Sequence, residues 1–388
     1  MVRRLLVLVG AIVFVDTVFY AALTPLLPVY AEELGLSRAG AGVLAGAYAA
    51  GALVGAIPGG LAAARLGVKP TVLLGLAGMA VTTFVFGLAG DILVLDAMRF
   101  LQGAASAFSW TAALTWLVAA APPDRRGELI GTAMAAAIVG ALFGPVLGGA
   151  ASVVGTEVAF GSVGLVAAAL GVWAWRTPAF APGEPQPLRL LFGALRRPRI
   201  AASVWFVALP AMLFSSLAVL APLRLDELGL GSVAIGATFV LAAGLEALVA
   251  PAVGRLSDRR GRMLPLRAGL LASATVAAAL PWLDHRLVLA GGVVAAGMAF
   301  GIFWAPAMSM LADTAESIGL DYAYAFALIN LAWAPFAALG AAGSGAVAQV
   351  TSDAVPFVAL AAACVATFAL VARYSGSRRA RAAASRAR

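Results

Sequence analysis

Twelve uninterrupted apolar runs constrain this chain more than any other feature. A hydrocarbon core of ~30 Å needs about 20 apolar residues per helix. Runs of that length fall near residues 5–27, 40–63, 71–90, 93–120, 128–151 and 158–175, and again near 200–222, 232–254, 264–282, 287–311, 322–348 and 354–373. Turn or charge signals separate them, for example Pro122-Pro123-Asp124-Arg125-Arg126-Gly127 and Asp284-His285-Arg286. The runs are continuous rather than alternating, which excludes a membrane β-barrel. Apolar residues make up 63% of the chain and charged residues 11%. A soluble domain runs nearer ~45–50% and ~25%, so a soluble enzyme and a disordered chain are excluded. The expected fold is all-α and integral to the membrane.

The basic residues test the span count. With the N-terminus inside, cytoplasmic segments collect 22 of the 26 Lys and Arg residues. The outer loops hold only Arg38, Arg224 and Arg286, and Arg99 falls within span 4. That asymmetry predicts twelve spans with both termini cytoplasmic. The net charge of +8 is then a topology signal, and no nucleic-acid partner is expected. Met1-Val2-Arg3-Arg4 before an apolar run imitates a secretory leader. Removing it would break the charge alternation downstream, so span 1 is expected to be retained.

The rare residues exclude other chemistry. With one Cys, Cys364, and one His, His285, no intrachain disulfide, His/Cys metal site or His-based triad can be assembled. No enzyme activity, metal or cofactor is expected.

Residues 177–199 form the longest inner loop, and its prolines resist helix. The segment from Leu188 to Arg197 reads as a short basic amphipathic helix on the inner leaflet. The predicted units are a six-helix bundle at 1–176, a cytoplasmic linker at 177–199, a second bundle at 200–373 and a basic tail at 374–388. The halves echo each other: Gly60 to Lys69 follows span 2, and Gly254 to Met263 follows span 8, offset by 194 residues. Six-plus-six repeats with a substrate site between the halves are a transporter architecture.

The loop Gly254-x3-Asp258-Arg259-x-Gly261-Arg262 suits an inner latch. Its glycines allow a tight helix-to-helix turn, and Asp258 can accept from helix amides or pair with an Arg. Asp313 is a further candidate for closing the inner gate. The loop resembles the signature of the major facilitator superfamily. The first-half copy departs from it, with Ala64 and Val68 where the family usually has Asp and Arg. In span 4, Arg99-Phe100-Leu101-Gln102-Gly103 is similar to the family's buried-arginine motif. An arginine in a span is costly unless paired or facing water; the alternative is an arginine snorkelling to the outer surface. In span 5, Gly140-x3-Gly144-Pro145-x2-Gly148-Gly149 resembles the family's antiporter motif, whose glycines let helices approach closely. The resemblance implies twelve helices in two pseudo-symmetric six-helix bundles, and it points to the proton-coupled drug-efflux branch.

Asp16 in span 1 and Glu246 in span 8 lie near mid-span. An isolated carboxylate in apolar surroundings can gain and lose protons near neutrality. The expected proton-coupling groups are Asp16 or Glu246, with Arg99 tuning Asp16; a static Asp16–Arg99 ion pair is the structural alternative. Asp16, Pro25 and Pro28 are spaced as in span 1 of vesicular amine transporters, a similarity that implies an amine or organic-cation substrate. Asn330 stands where those transporters are expected to place another carboxylate. Tyr20 lies one turn from Asp16. Trp110, Trp304 and Trp333 are candidate aromatic walls for a cation, or else lipid-facing anchors.

These features predict proton-driven export of small amphiphilic or cationic molecules by alternating access, from a monomer in the plasma (inner) membrane. The substrate contacts would be Asp16, Tyr20, Trp110, Glu246, Trp304, Asn330 and Trp333. The partners would be the substrate, protons and the lipid bilayer. The alternatives are a dedicated exporter or uniporter of a sugar or amino acid, and a non-transporting sensor or scaffold.

Overall fold

The computed structural model describes residues 2–122, 125–179, 186–320 and 322–386. A backbone in lipid has to satisfy its own polar groups, and helices do so within one segment. Fourteen α-helices are described. The first half holds α1 (Val2–Glu33), α2 (Arg38–Arg65), α3 (Val68–Leu88), α4 (Ile92–Ala120), α5 (Arg126–Val154) and α6 (Thr156–Arg176). The linker holds α7 (Leu188–Leu195). The second half holds α8 (Pro198–Glu227), α9 (Ser232–Arg260), α10 (Met263–Ala279), α11 (Arg286–Ser317), α12 (Tyr322–Ala338), α13 (Ser344–Val350) and α14 (Ala354–Arg386). A π-helical turn, Leu339–Gly343, joins α12 to α13, and the three together make the eleventh span. Twelve spans are long and apolar enough to cross a membrane. They match the predicted runs and extend a few residues beyond most of them. The amphipathic segment is helical as predicted: Leu191 and Ala194 face the protein, while Leu190 and Phe192 stay exposed.

The internal repeat is written into the backbone. Gly67 and Gly261, 194 positions apart, both take positive φ at the turn between the second and third helix of their half. An L side chain avoids that region. In each half this glycine closes the turn where the signature loop was read.

Within the first half α1 packs on α5, α2 on α4 and α3 on α6; in the second, α11 packs on α8, α9 and α10. The halves meet through α2 against α12 and α5 against α9. Small residues make the close crossings, as expected where lipid offers no hydrophobic gain for association. A Cβ on Gly140 would stand 2.6 Å from the Phe14 carbonyl, and one on Gly144 would stand 2.8 Å from that of Val18. A Cβ on Gly148 would meet Pro25 at 2.6 Å. Three antiporter-motif glycines are therefore the bed of α1. Gly149 differs, with only ordinary contact to Val233. The Pro145 carbonyl abuts Gly236 of α9.

The signature loop is only partly as expected. The Asp258 side chain lies outside the described residues. A Cβ on Gly254 would meet nothing, so Gly254 does not mark a close helix approach. Arg259 is exposed, and Arg262 forms an ion pair with Asp313. That pair ties two segments of the same half. Both partners are well exposed, so Asp313→Asn is expected to cost less than about 1 kcal/mol, read as a small fall in thermal stability in detergent. Nearby, Gln186 donates to the Gly319 carbonyl at 3.0 Å, and Tyr324 donates to the Gln186 carbonyl at 2.6 Å. The linker is thereby fastened to the α11–α12 turn, at the end of the bundle that carries both termini.

Candidate functional site

The site is built on α4. Arg99, Gln102, Ser106 and Trp110 follow one another at helical spacing and share a face. Gly103, beside Gln102, has a separate task. A Cβ there would fall on the Tyr48 carbonyl, and a Cβ on Gly51 would fall on that of Phe100. The two glycines let α2 and α4 touch backbone to backbone, which sets Tyr48 against the polar face of α4.

Asp16 closes the cluster from α1. It is 5% exposed, and its Oδ2 accepts three hydrogen bonds. Tyr48 donates at 2.9 Å, Ser106 Oγ at 2.9 Å and Trp110 Nε1 at 2.6 Å. Asp16 Oδ1 is buried and has no partner among the described residues. A carboxylate held this way is fixed in orientation through one oxygen and leaves the other available to a proton or a cationic ligand.

Arg99 is 1% exposed, which overturns the snorkelling alternative. Nor does it form an ion pair with Asp16. Its Nη1 donates to the Phe19 carbonyl at 3.3 Å and its Nη2 to the Tyr20 carbonyl at 2.7 Å. Its guanidinium lies 5.0 Å from the Phe19 ring centre, 5.8 Å from that of Tyr20 and 5.0 Å from that of Tyr48. Carbonyl dipoles and ring faces thus take the place of a carboxylate partner. Any influence of Arg99 on Asp16 acts through space and through the shared Tyr48. Gln102 is fully buried, and neither polar end of its amide has a partner among the described residues.

The aromatic residues divide into two groups. Trp110 was expected as an aromatic wall, yet its indole N–H is committed to Asp16. Tyr20 packs on Tyr48 with ring centres 5.0 Å apart and planes tilted by 48°, and it meets Trp333 of α12 edge-on at 5.7 Å, so the cluster reaches across the seam between the halves. Trp304 and Trp333 both pack around Ala49, Ala211 and Ala337. Both are interior groups, not lipid anchors.

The second carboxylate stands apart. Glu246 on α9 packs over Gly301 of α11, where a Cβ would stand 2.6 Å from its Oε1. No described contact joins Glu246 to the Asp16 cluster. Asn330 is half-buried and makes no described hydrogen bond. The structure therefore brings together Asp16, Tyr20, Arg99, Trp110 and Trp333, and among the described contacts none joins Glu246 or Asn330 to them. Sequence reasoning missed Phe19, Tyr48 and Ser106. Ser106 was legible as the next position on the Arg99 face. Tyr48 was not, because only the glycine crossing sets its direction.

Twelve helices in two repeated halves, with a polar cluster at the seam between them, define a membrane transporter. Residues 9–337 match the Major Facilitator Superfamily, and the chain belongs to that family. A chloramphenicol resistance protein of Streptomyces lividans is 36% identical over 262 residues, 64% of this chain and 65% of the relative. The quinolone resistance protein NorA of Staphylococcus aureus is 27% identical over 151 residues, 38% of this chain and 39% of NorA. Less than two thirds of either relative is matched. Among solved structures, a bacterial homologue of the human lysosomal transporter Spinster aligns with a TM-score of 0.75 at 17% identity, covering 96% of this chain and 97% of that one. A D-xylose–proton symporter aligns with a TM-score of 0.76 at 16% identity, covering 95% and 96%. These likenesses establish the twelve-helix fold.

Proposed function

We propose that the chain exports small amphiphilic or cationic molecules in exchange for protons, by alternating access across the seam between its halves. One observation carries this reading. Asp16 is a buried mid-span carboxylate with one oxygen gripped by three donors and the other unspent. It sits beside aromatic rings that reach across the seam. A proton and a cation can compete for that free oxygen, which is the minimum an antiporter needs. The resemblance to two drug-resistance proteins supports an export direction. The split of basic residues supports a plasma-membrane orientation with both termini cytoplasmic.

The test is reconstitution in liposomes under an imposed pH gradient, with lumenal pH followed while organic cations, sugars and amino acids are added. Substrate-evoked proton movement supports the proposal. Glu246, outside the cluster, is expected to be secondary: Glu246→Gln should keep most of the gradient-driven flux. Loss of coupling in that variant would move the proton site to the second half.

A second reading is favoured by the same three hydrogen bonds. Asp16 would be a structural acceptor in a uniporter. Flux without any response to the pH gradient identifies that case.

A further inference from the structure

We propose that Arg38 with Glu227 and Asp353 is an ionic latch that holds shut the end of the bundle opposite the termini, and that it opens once in each transport cycle. This rests on the alternating-access reading above.

Arg38 begins α2, in the first half, while Glu227 ends α8 and Asp353 precedes α14, both in the second. Arg38 Nε donates to Asp353 Oδ1 at 2.8 Å, and Nη2 donates to Asp353 Oδ2 at 3.3 Å and to Glu227 Oε1 at 2.6 Å. One guanidinium thus grips two acids on two segments of the other half, and the Asp353 contact is bidentate. The Arg38 backbone N–H adds a bond to Gln349 Oε1 at 3.0 Å. The network continues within the second half. Arg224 donates to Glu227 Oε2 at 3.1 Å and to Asp284 Oδ1 at 3.0 Å, which fixes Glu227 for Arg38. By contrast, the two ion pairs described at the other end, Arg125–Glu128 and Arg262–Asp313, each join residues of one half.

Beneath the latch lies a seam of a kind that can part. A Cβ on Gly42 would stand 2.6 Å from the Ala341 carbonyl, and one on Gly46 would stand 3.2 Å from that of Ala338. Gly345 in turn faces the Arg38 carbonyl. At these glycines the contact is largely backbone on backbone. It falls on the π-helical turn Leu339–Gly343, a departure from α geometry that recurs at functional sites. The Gly340 carbonyl within that turn accepts from Ser216 Oγ at 3.0 Å. The latch side chains are 33% exposed at Arg38, 40% at Glu227 and 20% at Asp353. Ion pairs that exposed are weak and screened by salt, which suits a contact broken on every turnover.

Ala341 is 3% exposed in this seam and reports on it. In a Cys364→Ala background, Ala341→Cys is labelled with a membrane-impermeant maleimide from the side facing the latch. Labelling is expected to be slow with the latch intact. It should rise about threefold to tenfold, the scale of a weak exposed ion-pair network, in Arg38→Gln. The same rise is expected in Glu227→Gln/Asp353→Asn, which removes the latch from the other half and serves if the first variant fails to fold. Equal rates in the intact protein and in either folded variant overturn the latch. Labelling needs no substrate, so the two readings fail separately. Latch-dependent labelling without flux in any variant sinks the transport reading alone. Normal flux with unchanged labelling sinks the latch alone.

Discussion

Asp16→Asn is expected to bring pH-gradient-driven flux down to the level of empty liposomes, while counterflow of labelled substrate stays measurable. The substitution keeps the shape of the side chain. Its amide oxygen can still accept from Tyr48, Ser106 and Trp110, with the amide nitrogen turned toward the place of the free Oδ1. What disappears is the ability to carry a proton. Two opposing effects of similar size meet at this acid. Taking a carboxylate out of water costs several kcal/mol, and hydrogen bonds to a charged acceptor return roughly 1.5–3 kcal/mol each. Three such bonds on one oxygen offset much of that cost and fix the carboxyl in orientation, while the other oxygen stays open to a proton. The asparagine variant removes the titrating group without emptying the site. Drive by the gradient is therefore lost, and substrate exchange across the membrane is not. Gradient-driven flux equal to that of the unsubstituted protein would make Asp16 a structural acceptor and favour the uniporter reading.

The span pattern was legible because it rests on apolar run length, which the membrane enforces on every helix, and the family was legible through its resemblance to three motifs, at residues 254–262, 99–103 and 140–149. Asp16 and Arg99 were legible because a charge inside an apolar run is conspicuous. Their relation was not. Opposite charges in neighbouring spans suggest an ion pair, yet Arg99 is satisfied by the Phe19 and Tyr20 carbonyls and by three rings. Carbonyls are present at every residue and leave no mark in a sequence. Trp110 was read by residue type as a wall, and the structure uses its one polar atom instead. Glu246 was conspicuous in the same way as Asp16, but it packs on Gly301 in the other half. Sequence spacing orders residues along one helix; it does not say which neighbouring helix a face meets. The latch at Arg38 was hidden for a related reason: its partners are 189 and 315 residues away.

Gly103→Ala is expected to destabilise the folded protein strongly, and it couples packing to the site. A Cβ at this position would fall on the Tyr48 carbonyl and stand 2.9 Å from the Ala52 amide nitrogen. Both obstacles are backbone, so no rotamer change relieves them and α2 has to move away from α4. Overpacking of this kind costs roughly 1–3 kcal/mol. It also draws Tyr48 away from Asp16 and removes one of the three donors on Oδ2. Gly131→Ala is the control, because a Cβ there meets nothing. Adding a methyl group at an open helical glycine is neutral or mildly stabilising. Thermal inactivation in detergent should therefore fall to lower temperature for Gly103→Ala alone, with a parallel loss of gradient-driven flux. If the two variants inactivate together, the α2–α4 crossing is looser than its geometry, and Tyr48 is held against Asp16 by something other than this contact.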